Sequence, residues 1–177
     1  MKSAIILCLA LAAMTTLPAQ PLMAAPAAQP AASHHPFALG FVLGSNTALY
    51  GKYSVNSEVA YDLGLSFFGG DYALIYGDYL KHYPRAMQGK DKALAGLVPY
   101  VGIGGLIAIA SSARAKSERF LGTSSGSIGM GVRVPFGLEW FLGEPPLSFF
   151  GELAPGISIV PATEAIFQIG VGLKYQF

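Results

Sequence analysis

Side chains capable of ion pairing recur at alternate positions within apolar or glycine-rich runs: Lys52, Glu58, Asp62, Asp78, Arg133, Glu139, Glu152 and Lys174. If such runs are strands, all of these can point to the same side. Charges of both signs gathered in a narrow interior must then pair, because an unpaired buried charge is costly. Arg133 is the natural hub, since its planar fork can hold two carboxylates at once. Glu139 and Glu152 are its nearest candidates along or across adjacent strands, with Asp62 and Asp78 further off. Such a network can act as a gate on a narrow ion path, or as a polar plug that fixes register and fills space. Nucleophilic chemistry is less well provided for. A hydrolase needs a nucleophile and a base, and of the histidines, His34 and His35 lie in a proline-rich stretch while His82 has no serine at a neighbouring alternate position. His34 and His35 offer only part of a metal coordination shell. The "GIGG" and "GMG" stretches lack the strand-to-helix context of a phosphate loop. No catalytic, metal-binding or cofactor-binding residue is assigned.

The elements that must position these charges are strands. In the terminal stretch "EAIFQIGVGLKYQF", Phe177, Tyr175, Leu173, Val171, Ile169, Phe167 and Ala165 share one face, while Lys174, Gly172, Gly170 and Gln168 share the other. Successive side chains of an extended chain point to opposite sides, so this alternation predicts a strand. The same alternation divides the chain after residue 36 into eight segments separated by turn residues. In order they are "FALGFVLG", "TALYGKYSV", "EVAYDLGLSFF", "YALIYGDYLKHY", "LVPYVGIGGLIAIA", "SIGMGVRVPFGLEWFL", "LSFFGELAPGISIV" and the terminal strand. The sixth places Met130, Val132, Val134, Phe136, Leu138 and Trp140 opposite Arg133 and Glu139. In the fourth, Asp78 and His82 share a face with Tyr72, Leu74, Tyr76 and Leu80. Stretches 84–96 and 111–126 read as loops, the latter rich in charge, serine and glycine.

Composition limits where the apolar faces can go. Of 177 residues, 53% are hydrophobic and only 12% charged, an apolar balance for a soluble domain. After residue 36 no apolar run reaches the roughly 18 clean positions of a membrane helix. The formal net charge of +1 offers no electrostatic case for nucleic acid as a partner. Lys2 followed by "AIILCLALAAM" and a small-residue, proline-containing stretch reads as a secretory signal peptide over 1–25, with cleavage between 19 and 28. An Ala/Pro-rich linker follows over 26–36, and the barrel domain occupies 37–177. Cys8, the only cysteine, falls inside the signal, so the mature chain has no disulfide.

Eight antiparallel strands with short connections form an all-β, up-and-down meander that can close into a transmembrane barrel. Lipid then covers the apolar faces, and the charges fill the lumen. An even strand count puts both ends on one side, the periplasm in an outer membrane. Trp140, Tyr175 and Phe177, with Tyr53, Tyr83, Tyr100 and Phe141, fit an aromatic girdle at the membrane interface. The stretches "GKYSV", "AYDLGLSFFGGD", "GDYLKHYP", "YVGIGG", "GVRVPFGLEWF" and "ELAPGISIVP" resemble those of an uncharacterised family of small bacterial outer-membrane β-barrels, a domain of unknown function, from about Phe37 to Phe177. The resemblance implies fold and location but no activity, and Phe177 resembles the signal by which the barrel-assembly machinery recognises its clients. The expected protein is thus a monomer in the Gram-negative cell outer membrane, with outer-membrane lipid and that machinery as partners. Two alternatives remain, a soluble periplasmic barrel binding an apolar ligand and a lipid-modifying outer-membrane enzyme.

Overall fold

The computed structural model describes residues 36–45, 47–66, 72–87, 94, 96–110, 128–142 and 146–177. The expected signal peptide and all of the linker but Pro36, with His34 and His35, lie outside the described residues, as does the whole of the 111–126 loop. Among the described residues every regular element is a strand: β1 (Phe37–Gly44), β2 (Ala48–Ser54), β3 (Val59–Ser66), β4 (Tyr72–His82), β5 (Leu97–Ala110), β6 (Ile128–Arg133), β7 (Phe136–Phe141), β8 (Leu147–Val160) and β9 (Ala165–Gln176). Each pairs antiparallel with its neighbours, and β1 returns to β9 with Ala38 opposite Gln176 and Gly44 opposite Gly170, so the sheet closes. Closure removes the exposed edge of backbone donors and acceptors that an open sheet leaves.

The predicted sixth strand is one stave of the barrel made from two elements. β6 and β7 lie end to end between β5 and β8, each pairing with both. The interruption falls at Val134 and Pro135, where proline has no N–H to give to the ladder. The carbonyl of Pro135 still accepts from the Gly102 amide at 2.7 Å, and the Val134 amide donates to Pro155 at 2.8 Å, so the stave continues across the gap. The barrel therefore has eight staves, as expected from the alternation.

Burial follows the alternation on every strand. Along β1, Ala38 and Val42 are buried while Phe37, Leu39, Phe41 and Leu43 are exposed. The fourth segment, read less easily from its sequence, turns Leu74, Tyr76, Asp78, Leu80 and His82 inward and Ile75 and Tyr79 outward. The exposed apolar residues run from 37% exposure at Ile75 to 63% at Phe167 and Val171, values no packed core would show. Among outward positions of the described strands the sole charged side chain is Lys81, at the rim, where its ammonium donates to Glu58 at 2.6 Å. Glu58, expected inward, is instead an exposed turn residue. The hydrogen bond from Lys81 holds its carboxyl below the usual carboxylate range. The same turn is closed by the Asn56 side chain, which accepts from the amides of Glu58 and Val59, both at 2.8 Å, the local bonding that makes asparagine a turn residue.

Aromatic residues crowd the rim where β1 begins and β9 ends. Phe37, Tyr53, Tyr61 and Tyr79 are successive cross-strand partners on β1 to β4, and Trp140 stands opposite Phe149 on β7 and β8. The Phe37 and Tyr53 rings lie 4.9 Å apart, and Tyr175 and Phe177 5.0 Å. At the other rim the last outward positions are aliphatic, among them Leu43, Leu49, Leu65, Ile109, Ile128 and Ile159. Two residues expected in the girdle are not there. Tyr100 is buried in the lumen, and Phe141 lines its mouth, because both occupy inward positions of their strands.

Inside, glycine makes room for large side chains. A Cβ at Gly64 would overlap the ring of its cross-strand neighbour Tyr76. Gly64→Ala is expected to destabilise the barrel by about 1–3 kcal/mol through overpacking, read as a lower urea midpoint in detergent. An unchanged midpoint would show that Tyr76 can shift freely.

Candidate functional site

The inward side chains form two polar knots and an apolar layer. Near the rim where β1 begins and β9 ends, Glu139 on β7 is fully buried and pairs with two lysines. Lys52 of β2 reaches its Oε2 at 2.6 Å, and Lys174 of β9 its Oε1 at 2.8 Å. Lys52 Nζ also lies 2.8 Å from His82 Nε2, and that nitrogen is 3.6 Å from Glu139 Oε2. An ammonium has no lone pair to offer, so Nε2 accepts and the ring hydrogen sits on Nδ1. The Lys174 ammonium lies 4.9 Å from the centroid of Phe150 and 5.7 Å from that of Tyr50, within range of cation–π attraction.

One layer deeper, Arg133 on β6 reaches side chains of its neighbour β8 and of β4 and β9 beyond. Nη2 lies 3.1 Å from Asp78 Oδ2 and donates to Glu152 Oε1, while Nη1 donates to Gln168 Oε1 at 2.7 Å. Its guanidinium is stacked 4.2 Å from the centre of the Tyr76 ring. The Tyr50 hydroxyl donates to Asp62 Oδ2 at 2.9 Å, and that of Tyr100 to Glu152 Oε2 at 3.0 Å. Towards the far rim Ala48, Leu74, Leu106, Ala108 and Ile166 pack together with Tyr76 as a buried apolar cluster.

The residues expected in the lumen charge network, Arg133, Glu139, Glu152, Asp62, Asp78, Lys52 and Lys174, all face inward. Their partnerships differ from expectation at one important point. Glu139 does not pair with Arg133 but with Lys52 and Lys174, and Asp78, thought more remote, is in contact with the guanidinium. The reason is chain geometry: Glu139 and Arg133 are six positions apart on one stave, about 20 Å at the usual rise of a strand, too far for a single bond. Tyr50, Tyr76, Tyr100, Gln168 and His82 complete the network without having been assigned a part in it. Their inward parity was visible in the alternation, but a tyrosine on an inward face reads equally as packing.

Chemically, the arrangement pairs each inward cation with at least one carboxylate. His82 is held by Lys52 and Glu139, and among the described residues no group of three or more His, Cys, Asp or Glu is placed to hold a metal ion.

An all-β, closed, eight-staved antiparallel barrel with an apolar exterior and a charged interior is the architecture of transmembrane β-barrels. Three solved structures are similar in fold. The N-terminal β-barrel domain of Pseudomonas aeruginosa OprF matches with 18% identity and a TM-score of 0.48, over 80% of this chain and 95% of that one. A de novo designed transmembrane β-barrel matches with 14% identity and a TM-score of 0.48, over 80% and 94%. Neisserial surface protein A matches with 12% identity and a TM-score of 0.40, over 80% and 93%. No protein-family model and no curated protein sequence matches the chain.

Proposed function

We propose that this chain is an integral protein of the bacterial outer membrane, a barrel with a plugged polar lumen whose role is structural or lies in surface interaction. The observation that carries the reading is the outward face. From rim to rim and around every stave, the described strands present aliphatic or aromatic side chains, glycine, alanine or proline, with charge admitted only at Lys81 on the rim. In water such a belt is an aggregation hazard far larger than the apolar patches soluble proteins tolerate, whereas hydrocarbon requires it. That same belt disfavours a soluble barrel with its ligand inside. The buried side chains of the two polar knots and the apolar layer support the plug, since an eight-stranded barrel is just wide enough for its own side chains. Outer-membrane lipid and the barrel-assembly machinery are the partners this proposal entails, with the protein as a monomer. No enzymatic site is part of it.

Separation of inner and outer membranes, followed by gel mobility with and without boiling, tests the location. The expected result is recovery with the outer membrane and a heat-shifted band. Recovery in the soluble periplasm without a shift would overturn it. In planar bilayers the purified barrel is expected to show no discrete conductance steps, and reproducible steps from the wild-type protein would sink the plug.

A further inference from the structure

At the rim where β1 begins and β9 ends, the lumen opens into a cavity of about 90 Å³. Its inner wall is built by Lys52, Lys174, His82 and Glu139, and its mouth by polar groups including Ser54, Asn56 and Gln176. Lys52 and Lys174 are themselves 7% and 2% exposed, so their charges are fixed in place rather than waving in solvent. An ammonium carries three donor hydrogens. Lys52 directs hydrogens to Glu139 and His82, and Lys174 directs one to Glu139, which leaves donor directions on both that these partners do not use. Around the cavity two ammonium groups therefore face one carboxylate. The other lumen carboxylates are engaged elsewhere and do not line it. Asp62, which stands opposite Lys52 in register, takes the Tyr50 hydroxyl, while Asp78 and Glu152 hold Arg133.

We infer that this cavity is a binding site for a small oxyanion of the size of phosphate. The anion takes the remaining ammonium hydrogens of Lys52 and Lys174 and offsets the local excess of positive charge, which is costly in a low-dielectric interior. Charge-assisted hydrogen bonds of this kind are the short, strong class, and Ser54 and Gln176 at the mouth add neutral donors. The cavity is compact, at about 90 Å³, and suits a free oxyanion.

The test is calorimetric titration of the detergent-folded protein with inorganic phosphate, against chloride at matched ionic strength. The expected result is saturable binding at one site per barrel, absent with chloride. Lys174→Met is expected to weaken it about tenfold or more, as loss of a charged hydrogen-bond donor implies. Gln176→Ala touches none of the ion pairs and is expected to weaken it several-fold while leaving the heat-shifted mobility intact, so the proposal stays decidable even if the lysine variant fails to fold. Phosphate heats indistinguishable from those of chloride, or wild-type affinity in Gln176→Ala, or wild-type affinity in a folded Lys174→Met, would overturn the site.

Discussion

Glu139→Gln is expected to cost the barrel about 3–5 kcal/mol, the loss seen when one partner of a buried ion pair is removed and the other left uncompensated. The expectation is at the upper end because a single carboxylate serves two ammonium groups, at 2.6 Å and 2.8 Å, with no exposure of its own. Glutamine keeps the size and one acceptor, so the effect isolates charge from packing. Trp140, exposed on the same stave, supplies a fluorescence signal for urea unfolding in detergent micelles. A midpoint within error of the wild type would show that the knot is solvated and contributes nothing. The cost has a second signature that a packing defect would lack. Combining Glu139→Leu with Lys52→Met and Lys174→Met removes all the charges, and apolar replacements of similar volume for buried ion pairs are often neutral or stabilising. The triple variant is therefore expected to be more stable than Glu139→Gln alone. If it is less stable, the loss came from shape rather than from orphaned charge.

The two levels of structure differ in how much of them the sequence makes legible, and the lumen shows why. Alternation assigns each side chain to the inner or outer face because the strand period is two. Leu39, Leu63 and Val171 outside, and Lys52, Asp62 and Lys174 inside, follow from that rule alone. Pairing between adjacent strands is one step harder, and even a correct register can mislead. Lys52 sits directly opposite Asp62, the partner any ladder argument would choose, yet its ammonium crosses the lumen to Glu139, on a stave that is not a neighbour of β2. Which inward residues meet across a barrel depends on strand tilt and stagger, and neither leaves a local trace in sequence. The same limit hid the part of Tyr76. Its inward parity was plain, but that its ring lies over Arg133 depends on Gly64 leaving space beside it. The break at Pro135 was equally visible as a residue and ambiguous as structure, since a proline can end a strand or merely interrupt its ladder.

Arg133→Ala is expected to destabilise the barrel by about 3–5 kcal/mol, because it strips the cation from Asp78 and Glu152 and leaves both carboxylates buried. Lysine is a poor substitute here. The guanidinium bonds in three directions, to β4, β8 and β9, while lying flat on the Tyr76 ring, and a point charge on a flexible stem can reproduce neither the fork nor the stacking. Arg133→Lys is therefore expected to recover part of the loss but not all of it. The ordering wild type, lysine, alanine in unfolding temperature, measured by loss of the heat-shifted band, distinguishes a cation requirement from a geometric one. Equal loss in both variants would assign the effect to the fork and the stacking alone, and equal stability of all three would remove Arg133 from any structural role. A further pairing separates this knot from the one at the mouth. Arg133 and Glu139 belong to different clusters that share no direct contact among the ion pairs, so Arg133→Lys combined with Glu139→Gln is expected to lose close to the sum of the single losses, as distant independent sites do. An interaction term well above about 0.5 kcal/mol would mean that the two knots form one continuous network through Asp62 and the lumen tyrosines, and that charge removed from one is felt in the other.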